Sequence, residues 1–93
     1  MNEKYELVLD DTVKLFGRKL FRIRAKISFG IVEKGEFGGY IESKNNLSHF
    51  GDAWVSGDAW VSGNARVSGD AWVYGNARVF GNARVSGNDR DPV

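Results

Sequence analysis

Residues 51–86 are six near-identical hexapeptides in unbroken succession: GDAWVS, GDAWVS, GNARVS, GDAWVY, GNARVF and GNARVS. Self-similarity at a short fixed period means that each unit stacks on its predecessor and shares a core with it, so this part of the chain reads as a solenoid. Within a unit, Ala53 and Val55 lie two residues apart and share one side of a strand, while Trp54 faces the other. Ala and Val therefore point inward, and Trp or Arg outward. The Gly-Asx pairs that follow, such as Gly57-Asp58, suit the left-handed backbone of a tight corner. Each hexad is then one short strand and one corner. A three-sided coil takes three hexads, and successive coils pair as parallel strands about 4.8 Å apart.

The register extends backwards into two degenerate hexads, Gly39-Tyr40-Ile41-Glu42-Ser43-Lys44 and Asn45-Asn46-Leu47-Ser48-His49-Phe50, with Ile41 and Leu47 at the alanine position. Forwards it reaches Gly87-Asn88-Asp89-Arg90-Asp91-Pro92, where Asp89 and Asp91 replace the inward pair and end the solenoid. Nine hexads make about three coils. Residues 1–38 instead alternate with a period of two. Phe21, Ile23, Ala25, Ile27 and Phe29 are interleaved with Arg22, Arg24, Lys26 and Ser28, and Tyr5, Leu7, Leu9, Val13 and Leu15 follow the same rule. Turn signals at Asp10-Asp11 and Gly17-Arg18 divide this segment into two or three antiparallel strands. Their apolar face is expected to lid the first coil, since an open solenoid end exposes core and strand edges. The expected organisation is a cap over residues 1–38 and a β-helix over 39–93, folded as one unit.

Thirteen basic and twelve acidic residues leave the chain nearly neutral, which gives no general pull toward nucleic acid or membrane. Cysteine is absent, so disulfides, thiolate metal sites and a cysteine nucleophile are excluded. The opening MNEKYELVLDD is charged where a secretory signal needs an apolar run, and no stretch suits a bilayer span. These features point to a cytoplasmic protein with no cofactor.

Residues three hexads apart stack. Trp54, Trp72 and Arg90 then share one outer face, Glu42, Trp60 and Arg78 the second, and Ser48, Arg66 and Arg84 the third. Tryptophan and arginine are enriched at interface hot spots, so Trp54, Trp60, Trp72, Arg66, Arg78 and Arg84 are the candidate protein-contact residues, with bracing of the coils or contact with the N-terminal cap as the alternative role of the same ladders. The expected partner is a second copy of the chain, in a dimer or trimer, or a foreign protein. The last coil, ending in NDRDPV, carries no hydrophobic lid and favours self-association. Arg18, Lys19, Arg22, Arg24 and Lys26 form a basic stripe that could meet phosphates or an acidic protein, although such a stripe is more often simply the solvated face of an amphipathic strand. His49 is the single histidine, a lone imidazole with no evident cofactor site, and reads as structural. Asp52 and Asp70 stack at one corner, where turn geometry already accounts for them.

The spacing of an aliphatic residue and a small one four positions on, Val55 to Ala59, Val61 to Ala65 and Val67 to Ala71, resembles the hexapeptide-repeat superfamily. That resemblance implies an all-β fold, a left-handed parallel β-helix with an antiparallel β cap at its N-terminal end. Acyltransferases of the superfamily use a catalytic histidine between subunits, which makes a reduced acyl- or nucleotidyl-transferase an alternative reading through His49. The leader is more specific. Arg22, Ile23 and Ala25, then Gly35, Gly38, Gly39, Tyr40 and Ile41, then Asn46, Leu47 and Ser48 follow the order of motifs in the YdcK-like group of bacterial and prophage proteins. With no catalytic constellation among its residues, the chain reads as a non-enzymatic scaffold or binding module; the resemblance implies a phage or prophage origin, and the sharper form of the reading is then an accessory protein that inhibits a host enzyme or defence complex. Nucleic-acid contact through strand 18–26 is the third reading.

Overall fold

The computed structural model describes residues 3–15, 17–86 and the backbone of 90–91. Every full hexad folds as a two-residue strand and a corner. The strands are β4 (Trp54–Val55), β5 (Trp60–Val61), β6 (Arg66–Val67), β7 (Trp72–Val73), β8 (Arg78–Val79) and β9 (Arg84–Val85), followed by β10 (Arg90–Asp91). They pair in parallel with partners eighteen residues on: Trp54 with Trp72, Trp60 with Arg78, Arg66 with Arg84, and Trp72 with Arg90. Backbone bonds such as Ser56 N–H to Val73 O at 2.8 Å and Trp60 N–H to Ala77 O at 2.9 Å form the rungs. At the corners Gly51, Gly57, Gly63, Gly69, Gly75 and Gly81 all adopt φ between 63° and 70°, the left-handed region in which a side chain is strained. Alanines 53, 59, 65, 71 and 77 and valines 55, 61, 67, 73, 79 and 85 are buried, as the inward reading requires. The expected end of the solenoid at Asp89 and in the rest of the hexad 87–92 lies outside the described residues, apart from the backbone of β10.

Ahead of the repeats, β1 (Tyr5–Leu15) and β2 (Arg18–Ala25) form an antiparallel hairpin, with Leu15 opposite Arg18 and Gly17 at φ 81° in the turn. β2 pairs antiparallel with β3 (Phe37–Ile41), and β3 pairs in parallel with β5. The cap therefore continues one wall of the solenoid as a five-stranded mixed sheet, in the order β1-β2-β3-β5-β8, while its apolar face closes the end of the core. The division placed at residue 38 falls inside β3. Gly38 and Gly39 permit this junction by close approach: a Cβ there would stand 2.4 Å from Val55 O and 2.6 Å from Ala59 O.

Three local expectations are corrected. Asp10-Asp11 makes no turn; β1 runs through, and the register jumps from Val8 opposite Arg22 to Thr12 opposite Phe21, so residues 9–11 bulge. The alternation from Phe21 to Phe29 breaks after Ala25, where β2 ends and Ile27 is exposed. The degenerate hexads are out of phase: Tyr40 pairs with Trp60 and Ile41 with Val61, twenty residues apart, and Leu47 bridges to Val67. Ile41 and Leu47 thus occupy the valine position. The two extra residues lie between Leu47 and Val55, in the segment that holds His49 and Phe50. The neighbouring corner is a 3-10 turn, Lys44–Asn46, fixed by the buried Asn46. Its Oδ1 accepts from Glu42 and Ser43 N–H, and its Nδ2 donates to Gly63 and Ala65 carbonyls at 3.2 and 2.8 Å. Among the described residues no helix is long and apolar enough to cross a membrane.

Candidate binding surface

The six contact candidates are spread over three outer faces. On the face built by β4 and β7, Trp54 and Trp72 are in register, yet only Trp72 reaches the surface. Trp54 is fully buried, with Phe29 edge-on at 5.3 Å and Tyr5 at 6.4 Å between ring centroids. Its reading as an outward contact residue is therefore corrected: the cap folds over the first repeat and converts an outer position into core. Its Nε1–H has no hydrogen-bond partner among the described residues, a cost its apolar burial must outweigh. Trp72 is half-buried in an open groove of about 720 Å³ with Ile31, Tyr74, Ser56, Asp52 and Asp70.

On the second face, Tyr40 occupies the position expected for Glu42, and Trp60 and Arg78 follow. The Arg78 guanidinium lies 4.2 Å over the Trp60 ring and donates to the Asp58 and Asn76 carbonyls at 3.1 and 2.8 Å. This cation–π pair is internal bracing, since the guanidinium is held by the ring and by carbonyls of the chain. Beside it, a groove of about 470 Å³ is lined by Leu15, Arg18, Trp60, Arg78 and Phe80. The third face carries Arg66 and Arg84, exposed and in register; the residue opposite Arg66 is Asn46 and not Ser48, a consequence of the two-residue phase shift.

The basic stripe is neutralised. Arg24 pairs with Glu6 directly across the hairpin, and Arg22 binds Asp11 Oδ2 at 2.9 Å, the Gly38 carbonyl at 2.8 Å and the Tyr40 hydroxyl at 2.6 Å. Arg18 binds both oxygens of Glu42 at 3.0 Å, and Lys26 lies 3.7 Å from Glu3. Of the five residues, Lys19 alone has no partner among the described residues. The stripe is therefore not the free basic surface that its sequence suggests: Glu6 and Asp11 of β1 meet Arg24 and Arg22 of β2, while Lys19 faces Lys14. That complementarity is legible in Glu6 and Asp11 once the two strands are paired.

His49 stacks flat on Tyr5, with centroids 4.2 Å apart and planes 3° from parallel, and its Nδ1 accepts the Lys4 backbone N–H at 3.2 Å. Burial holds its pKa below the usual 6.5, against the opposing pull of Glu3. The imidazole is thus a neutral acceptor that ties the cap to the two-residue insertion. Burial also pushes the Tyr5 phenol up, and its hydroxyl donates to the Leu47 carbonyl at 2.5 Å. Lys4, which no sequence pattern singled out, is buried: its ammonium donates to the Ala53 carbonyl at 2.7 Å and lies 4.7 Å from the Phe29 ring centroid. Burial lowers its pKa from 10.5 to about 8, with Asp52 and Asp70 opposing the shift. At the corner of those two aspartates, Asp70 Oδ1 accepts the Asp52 backbone N–H at 3.2 Å, the turn role expected of it. Among the described residues no three carboxylate or imidazole groups come together as a metal cluster.

Residues 59–75 and 77–89 match the family model of the YdcK beta solenoid repeat. The repeat region is therefore similar to YdcK-like β-solenoids, in keeping with the nearly all-β fold. No curated protein matches the chain.

Proposed function

We propose that this chain is a non-enzymatic protein-binding module: a β-solenoid of left-handed coils, about three in number, that presents its Trp72 face to a protein partner in the cytoplasm. The observation that carries this reading is the apolar rim of the groove of about 720 Å³, where Ile31, at 82% exposed, stands with Trp72 and Tyr74. Exposed aliphatic and aromatic side chains gathered on one rigid face are costly in water and characteristic of contact surfaces. A β-solenoid repeat supports the module because parallel rungs hold the face rigid without a partner. The partner is a second copy of the chain or, in the sharper form that rests on the resemblance of the leader to prophage proteins, a host enzyme or defence complex.

The transferase alternative requires His49 to exchange a proton, and its Nδ1 is engaged while its ring is stacked. Nucleic-acid contact through strand 18–26 requires free cations, and four of the five are ion-paired. Light scattering tests the proposal. The wild-type protein should run as a defined oligomer or hold a stoichiometric partner, and the double variant I31S/W72S should lose that assembly while keeping its β-rich circular dichroism. A folded double variant that assembles like the wild type would contradict it.

A further inference from the structure

We propose that the cavity beside Arg66 and Arg84, on a different face from the protein-contact groove, is a binding site for a phosphate monoester dianion. The two arginines face outward at register-paired positions on neighbouring parallel strands, β6 and β9, about 4.8 Å apart in backbone. Like charges directly opposite on adjacent strands destabilise a sheet, so an anion shared between them is favoured by the fold itself. Both side chains are exposed and line one cavity of about 360 Å³, with Lys44, Ser68, His49 and Phe50 around it.

Among the described arginines, only this pair lacks an ion-pair or ring partner. Among the described residues, Arg18, Arg22 and Arg24 are ion-paired and Arg78 is stacked on Trp60, whereas Arg66 and Arg84 have neither a carboxylate nor an aromatic ring. The nearby carboxylate, Glu3, is already divided between Lys44 at 2.6 Å and Lys26 at 3.7 Å. A ligand must therefore bring the missing negative charge. Two guanidinium forks present a charge of +2 and several parallel donors, and a phosphate monoester answers with roughly −1.5 to −2 at neutral pH and three acceptor oxygens. A carboxylate supplies half that charge and suits a single fork. A nucleic-acid backbone supplies one charge per phosphate and gains affinity from a long basic track, which two rungs do not provide.

The test is a titration with inorganic phosphate near neutral pH, at constant ionic strength balanced with chloride, followed by amide NMR. Saturable shifts are expected at the amides around Arg66, Ser68 and Arg84. The double variant R66Q/R84Q should weaken binding by about tenfold or more, while K14Q/K34Q, with the same change of net charge, should bind as the wild type does. These positions are exposed, and an unchanged amide pattern elsewhere shows that the variants remain folded. A phosphoserine peptide should move the same amides at least as strongly as phosphate. Equal shifts with chloride alone, retained binding in R66Q/R84Q, or a single-stranded oligonucleotide binding more tightly than the phosphoserine peptide would each overturn the assignment.

Discussion

The cap and the coils handle charge in opposite ways. In the hairpin, a non-repeating sequence sets Glu6 against Arg24 and brings Asp11 to Arg22, so unlike charges meet there, and only Lys14 opposite Lys19 near the turn departs from this. In the coils, a repeat stacked in parallel register places each residue over its own counterpart: Trp over Trp at 54 and 72, Arg over Arg at 66 and 84. Where neighbouring hexads differ in type, as at Trp60 and Arg78, the stack becomes a favourable cation–π contact. A parallel repeat therefore builds a uniform core cheaply in sequence terms, but it cannot neutralise its own outer ladders. Those ladders are left for something else to satisfy, and both proposals grow from that difference.

The largest expected effect separates the two regions at one repeat position. Trp54 and Trp72 occupy equivalent places in hexads that differ only at Ser56 and Tyr74, but the cap buries only the first. Trp54→Ala should cost about 3–5 kcal/mol of stability, and Trp72→Ala, on a half-exposed face, about 1 kcal/mol or less. Urea unfolding of the two variants checks this. Equal losses would mean that the cap does not distinguish the coil it covers.

A second expected effect sharpens the contrast between a buried cation in the cap and exposed ones on the coils. The Lys4 ammonium has a pKa of about 8 in the fold against 10.5 for the free side chain. Between these values the unfolded chain binds the proton and the native state does not, so stability should rise with pH. The clean window runs from about 8 to 10, because above 10 the Tyr5 phenol, raised by burial, acts in the opposite sense. Lys4→Met should flatten the rise. A wild-type protein with no rise across this window would show that the ammonium stays charged in place.

Much of the fold is legible in the repeat. Period six with three sides to a coil gives the eighteen-residue register, and the Ala-x-Val spacing gives which side chains enter the core, the latter from strand geometry alone. The phase of the first coil is not legible. Neither Ile41 nor Leu47 carries the Ala-x-Val mark, and the two-residue insertion around His49 and Phe50 follows no repeat rule. Burial of Trp54 is equally hidden: its hexad is identical to that of Trp60, and only its position under Phe29 and Tyr5 distinguishes it. The basic stripe misleads for a related reason, since charges on one strand are judged without the strand that pairs with it. Lys4 gives no signal at all, being one lysine near a charged terminus whose burial depends on carbonyls some fifty residues away.

The most direct measurement compares the stability of Arg24→Gln and Arg84→Gln by urea unfolding at low and at high salt. Removing Arg24 breaks an opposite-charge pair and should lower stability by up to about 1 kcal/mol. Removing Arg84 relieves a like-charge contact and should raise it by about 0.2–1 kcal/mol. Salt should shrink both differences. Opposite signs that converge with salt are the predicted result; a loss of stability in Arg84→Gln equal to that in Arg24→Gln would contradict the account.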